Sequence, residues 1–147
     1  TSQSKVTVSG VPDKPGIAAL LFRPLADQDV NVDMIVQNTS EQGVTDISFT
    51  VPTEQLEIGK EITAETADII GAQGVNTDNT IGRVSVVGAG MASNPGVAAT
   101  IFETLSNESI NIGMISTSAI RVSCVVAKED VERATVALHE AFELDKG

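Results

Sequence analysis

Two stretches of this chain have the make-up of a site for a small carboxylate. Val11 to Gly16, reading VPDKPG, and Ala89 to Gly96, reading AGMASNPG, each bring a proline and a glycine to the predicted start of a helix. Free amides and the helix dipole at such a start suit an anion. Glycine also lets a ligand come close to the backbone. Turn chemistry alone would call for the same residues, so the pattern does not decide between a site and a turn. Asn31 and Asn111 occupy matching places after the two helices. Each could orient a polar ligand or simply open a strand.

Catalytic patterns are missing. His139 is the single histidine and lies beside the apolar stripe of the last predicted helix, with no second His, Cys or carboxylate at ligand spacing. The single cysteine, Cys124, sits in the apolar run VSCVVA. One cysteine excludes an internal disulfide framework and a CxxC metal site, and this one reads as a buried structural thiol. The sequence contains no GxxxxGK[ST], no GxGxxG at a strand-to-helix turn and no GxSxG. The expectation is no catalytic residue, no metal and no cofactor.

The elements that carry the two turns come from a duplication. Lys5–Asn38 recurs as Arg83–Ser118 with two extra residues before the second Pro-Gly, and from there a slide of 80 positions places Pro15 on Pro95, Gly16 on Gly96, Phe22 on Phe102, Asn31 on Asn111 and Met34 on Met114. From Pro15 to Ile35, nine of 21 positions are identical. The period is too long for a solenoid, so the chain reads as two small domains, 5–80 and 81–147. Thin cores of this size call for packing against a partner, and a homodimer is expected. With 20 acidic residues, nine basic ones and a net charge of −11, no basic patch is available for nucleic acid or an anionic membrane. No apolar run approaches a membrane span, and a lone cysteine fits the cytoplasm. The chain opens Thr1-Ser2-Gln3-Ser4 without a methionine, as a fragment or processed product would.

In chain order, Lys5–Gly10 alternates as a half-buried strand. A helix is predicted from Gly16 to Gln28, with Ile17, Ala18, Leu21, Phe22 and Leu25 on one face and Pro24 kinking it. Strands follow at Val30–Gln37 and Thr45–Val51, joined by a turn at Glu41-Gln42-Gly43. A second helix starts at Pro52-Thr53, with Thr53 as its cap. Leu56, Ile62, Thr66, Ile69 and Ile70 form its inner face, Gly59 weakens its middle, and Val75–Thr80 is a short fourth strand. The order β-α-β-β-α-β is the ferredoxin-like unit. The second module repeats it with strands at Val84–Gly88, Ile110–Ser116 and Ile120–Ala127. Its helices are Gly96–Asn107, with Val97, Ile101, Phe102 and Leu105 inward, and Lys128–Phe142, with Val131, Ala134, Leu138 and Phe142 on one face. No clear fourth strand of its own follows.

The segments DKPGIAALLFRPLADQDVNVDMIVQN, GVTDISFTV, GRVSVVGAGMASNPGVAATIFETL and NIGMISTSAIRVSCVV resemble the tandem ACT domains of bacterial aspartate kinase, in its regulatory, β-subunit-like portion. The likeness covers nearly all of Lys5–Leu144. It implies an α+β fold of two ferredoxin-like ACT domains and a non-catalytic regulatory subunit or fragment. Such modules pair side by side and bind free amino acids at their interfaces. The expected partners are a second copy and a catalytic alpha subunit. The expected effector is threonine, lysine or both, acting by feedback.

Carried over from that family, the first wall of a threonine pocket is Asp13, Gly16, Ile17, Ala18 and Gln37. The facing wall is Asn111 and Ile112, with Ser116, Thr117 and Ser118 nearby. A lysine pocket in the family uses an acidic residue at the place of Asp33 and a T-x-E after the second Pro-Gly-Val. This sequence keeps Asp33 but reads Ala98-Ala99-Thr100, so threonine is expected to bind and lysine weakly or not at all. In the family, a segment before the first ACT strand supplies the second domain's missing strand. The competing readings are a free-standing amino-acid sensor for another partner, an RNA-binding ferredoxin-like fold and an enzyme. Charge and the scarcity of aromatics argue against RNA, and the lack of an acid, base or nucleophile set argues against an enzyme.

Overall fold

Val6 and Val8, the alternating pair of the first predicted strand, are fully buried. The strand around them, β1 (Gln3–Pro12), is longer than its pattern suggested. The computed structural model describes residues 3–39, 43–87, 95–117 and 121–144. Glu41, Gln42, the turn residues Ala89–Asn94, Ser118 and Ile120 lie outside them. The chain divides between Asn79 and Thr80 into two compact units.

The first unit runs β1, α1 (Ile17–Asp27), β2 (Ile35–Thr39), β3 (Val44–Pro52), a 3-10 turn (Thr53–Gln55), α2 (Leu56–Ile70) and β4 (Gly74–Asp78). Its sheet order is β2-β3-β1-β4, with every neighbouring pair antiparallel. That is the ferredoxin-like arrangement read from the sequence. The second unit runs β5 (Ile81–Val87), α3 (Pro95–Asn107), β6 (Met114–Thr117), β7 (Arg121–Ala127), a 3-10 turn (Lys128–Asp130) and α4 (Val131–Leu144). Its sheet is β5-β7-β6. Among the described residues it has three strands, as the sequence implied.

The cores are aliphatic. One cluster of the first unit joins Val6, Leu25, Val30, Phe49, Val51 and Leu56. A second joins Val8, Val11, Leu21, Ile47 and Ala67, with Ile17 packed against it. Phe22 meets Phe49 edge to face, with ring centroids 5.2 Å apart. In the second unit Val84, Val97, Ile101, Leu105, Cys124, Ala134 and Leu138 form the core. No helix among the described residues is long and apolar enough to cross a membrane.

Several expectations need correction. The second strand begins at Ile35 rather than Val30. Thr50 explains the delay: its Oγ1 accepts the Met34 amide at 3.0 Å, and its carbonyl accepts the Asp33 amide at 2.9 Å. The segment before β2 is thus tied to β3 partly through a side chain. Thr53 does not cap α2; its hydroxyl bonds Ser4 at 3.0 Å, and a 3-10 turn intervenes. Leu56, Ile62, Thr66 and Ile70 do face the cores, but Ile69 is 81% exposed, and Gly59, Thr63 and Ala67 are buried on α2 as well. Small residues there let the helix lie close to the sheet. Phe102, read as inward with Val97, Ile101 and Leu105, is 48% exposed. Ala18 is also exposed, and α1 runs through Pro24 to Asp27.

Two glycines separate propensity from packing. A Cβ on Gly59 would meet only Val30 Cγ1, at 3.7 Å, an ordinary contact. Gly59→Ala should therefore stabilise the fold by about 0.5–1 kcal/mol, the helix cost of glycine. A Cβ on Gly82 would collide with Val131 Cγ2 at the start of α4. Gly82→Ala should destabilise by about 1–3 kcal/mol. Urea unfolding of both variants should give opposite signs.

Candidate functional site

Gly16 sits where the first wall begins. It is the N-cap of α1, with φ 86° and ψ −10°, and no side chain caps the helix. A left-handed N-cap of this kind suits glycine. Nothing lies within 4 Å of the place a Cβ would take. A side chain at Gly16 would therefore be strained by the backbone rather than by neighbours. The Ile17 amide bonds back to Lys14 O at 3.3 Å. The amides of Ala18 and Ala19 belong to the first turn, where the helix itself offers no acceptor. Asp13 is exposed at the mouth of the turn, and its amide donates to Gly43 O at 3.2 Å.

Gln37 reaches the same neighbourhood through the sheet. It lies opposite Ile47 in the β2–β3 register, and cross-strand partners share a face. Ile47 is buried with Ile17 packed against its cluster. Ile47 thus lies between the strand that carries Gln37 and the first turn of α1. Asp13, Gly16, Ile17 and Ala18 share the turn and first helical turn after β1, and Gln37 lies on β2 opposite Ile47. Except for the half-buried Ile17, all are exposed.

Asp33 is exposed on the tied segment before β2. It carries the acidic group expected there, while Ala98, Ala99 and Thr100 lie on α3 with no carboxylate. Asn31 does not start a strand. Its amide donates to Gln55 Oε1 at 2.8 Å, and Gln55 Nε2 donates to Asp29 O at 3.1 Å.

In the second unit Asn111 is exposed and Ile112 half-buried. Both precede β6 and line a depression of about 580 Å³ with Phe102, Ser106, Ser109 and Ile110. Ser116 and Thr117 are exposed on β6, opposite Ser123 and Val122. A wider depression of about 660 Å³ lies elsewhere, lined by Glu108, Glu129, Glu132, Glu140 and Arg133 among others. Its carboxylates suit an amino-acid carboxylate poorly, and it includes no residue of either wall. Among the described residues no group of three or more His, Cys, Asp or Glu could hold a metal ion.

The sequence reading missed a device beside the first wall. The β1–β3 register shifts between Val8 and Val11. Gly10, with φ 65°, donates its amide to Asp46 Oδ1 at 3.0 Å. Gly10 had been read as the end of a strand. A glycine at that point is itself a signal for a bulge.

The sequence pattern of the ACT domain family matches residues 6–66 and 84–142. A crystal structure of aspartokinase alpha and beta subunits superposes with a TM-score of 0.89 at 48% identity, covering 97% of this chain and 93% of that one. The chain belongs to the ACT-domain regulatory region of aspartate kinases. The ligand-free regulatory subunit of aspartate kinase from Thermus thermophilus gives a TM-score of 0.89 at 34% identity, covering 95% and 93% of the two chains. Aspartate kinase from Pseudomonas fluorescens is 48% identical over 97% of this chain, and aspartokinase from Corynebacterium glutamicum 46%. This chain spans about a third of the length of those two relatives, 35% and 34%. The ACT match accounts for the two ferredoxin-like units and their repeated helix-start turns.

Cys124 is buried, and burial pushes its thiol from 9.0 up to about 11. The thiol should resist a disulfide reagent at about pH 8 in the native protein and react on unfolding. Its raised value also fixes a sign. The unfolded thiol ionises first, so this group should lower stability as pH rises from 9.0 through about 11. Below 9.0 it should contribute no slope. Urea unfolding of the parent and Cys124→Ala across that window checks this, with the variant losing less on the alkaline side.

Proposed function

We propose that this chain is the regulatory part of a cytoplasmic aspartate kinase and binds free threonine between paired copies. Binding then lowers the activity of an attached or associated catalytic part, one that transfers phosphate from ATP to the aspartate side chain. The observation that supports this reading best is the start of α1, which no side chain caps. Gly16 supplies a left-handed cap with no side chain, and nothing lies within 4 Å of the place a Cβ would take there. The first-turn amides suit the α-carboxylate of an amino acid, and the helix dipole adds to the attraction. Asp13 suits its ammonium group, and Gln37 the polar part of the side chain.

Exposure of this wall argues for a second surface to complete the pocket, since small-molecule sites bury most of their ligand. Asn111 and Ile112 of a paired chain fill that role in this proposal, with Ser116 to Ser118 at its margin. Threonine is favoured over lysine because no carboxylate stands at Thr100 to join Asp33 around a second ammonium. The chain itself takes no metal or cofactor in this reading. Threonine stabilises the state it binds and shifts the population of the kinase towards the less active arrangement.

Neither Gln37 nor Asn111 is part of the core, so alanine variants should fold. Each should lose about 1–3 kcal/mol of threonine binding, roughly five- to 150-fold. Calorimetric titration of threonine and of lysine into the parent, Gln37→Ala and Asn111→Ala chains tests the proposal. Parental affinity in both variants, or lysine binding as tightly as threonine, would contradict it.

A further inference from the structure

We infer that Asp46 is a positioning residue for the ligand-binding turn, holding the Val11–Gly16 segment in place by pinning the β1 bulge through the Gly10 amide. The inference rests on the proposed threonine site and assigns the device that shapes it. The β1–β3 ladder pairs regularly from Gln3 to Val8, slips, and resumes at Val11 opposite Thr45. Gly10 lies in the slip with φ 65°. Its amide points at Asp46 Oδ1 at 3.0 Å.

A bulge redirects the strand beyond it, and here that strand leads at once into Asp13 and Gly16. The far side of the bulge is also fixed. A Cβ on Gly10 would collide with the Gln73 side chain, and the Gln73 amide donates to Ser9 O at 2.8 Å. Asp46 itself is exposed on β3 and belongs to neither core cluster of the first unit. Its carboxylate therefore serves the bulge rather than the packing.

The second unit has no carboxylate at the place of Asp46. Ile35 pairs with Phe49, and its repeat Ile115 pairs with Cys124. Counting three residues back along each strand matches Asp46 with Arg121, a side chain that can only donate. The acceptor belongs to the first unit, whose turn also carries Asp13.

The test compares Asp46→Ala, which removes the acceptor, with Asp46→Asn, which keeps an oxygen there. Asp46→Val, a better strand former, replaces the alanine variant if that one fails to fold. Two readouts are taken on each folded full chain: threonine affinity by calorimetry, and amide exchange at Gly10 and Asp13. Loss of the acceptor should weaken threonine roughly tenfold, because the turn must then be ordered on binding. Exchange at both amides should quicken, and Asp46→Asn should stay near the parent in both. The inference is overturned if the acceptor-free variant binds and exchanges like the parent, or if Asp46→Asn behaves like it. A parent chain that binds no threonine would defeat the proposed function instead. Exchange alone would then decide the role of Asp46, with parental rates in the acceptor-free variant overturning it.

Discussion

The antiparallel pairing of β1 with β3 is the constraint on which the first unit depends. It runs from Gln3 opposite Pro52 to Pro12 opposite Val44. Val6 and Val8 on one strand, with Ile47, Phe49 and Val51 on the other, present one apolar face. Both helices bury their stripes against residues of that face. The outer strands then add to it, β2 on β3 and β4 on β1. Since side chains alternate with period two, a one-residue slip would turn every core residue to the wrong side. The one slip that does occur is confined to the bulge between Val8 and Val11. It falls where the strand gives way to the turn that carries the candidate site. The site therefore inherits its shape from the sheet.

Duplication repeats local devices as well as elements. Asp29 and Ser109, 80 positions apart, both take positive φ, at 58° and 57°. After each, an amide returns to the last turn of its helix: Val30 to Leu25 O at 2.9 Å and Ile110 to Leu105 O at 2.8 Å. The Asp33 amide bonds Thr50 O, and the Gly113 amide bonds Val125 O. Hydroxyl pairs bridge the strands in both units, Thr7 with Ser48 and Ser85 with Ser123. Matching exits aim both helix-to-strand connections alike, and Asn111 sits in the second of them. Among the described residues the units differ in having four strands against three, and Arg121 stands where the first unit has Asp46. Two copies of one scaffold can thus supply two different kinds of surface.

Periodicity made most of the fold legible. Alternation located β1 and β3, and helical spacing located Leu21, Leu25, Ile101, Leu105, Ala134 and Leu138, all buried. Periodicity failed where size rather than polarity decides. Gly59, Thr63 and Ala67 face inward on α2 because small residues admit the sheet, while Ile69 faces out. The inward reading failed at Phe102: its counterpart Phe22 has Phe49 to pack on, whereas Cys124 takes the place of Phe49 in the second unit. Side-chain-to-backbone bonds were also beyond the pattern, as with Thr50 Oγ1 at Met34 and Asp46 at Gly10. For the site, Asp13 and Gly16 could be found from turn chemistry. Gln37 could not, because no local pattern singles out one strand residue, and it came from the family resemblance.

The central claim is that one threonine is held by the first wall of one chain and the second wall of another. Mixing Gln37→Ala chains with Asn111→Ala chains tests it most directly. Each variant alone has a defect in every site. In a two-fold dimer of one chain of each kind, one site collects both defects and the other collects none. Threonine titration of the exchanged mixture should therefore recover parental affinity in about a quarter of the sites, the share expected for random pairing. A mixture that binds no better than its two components would mean that both walls lie in one chain or that the ligand sits elsewhere.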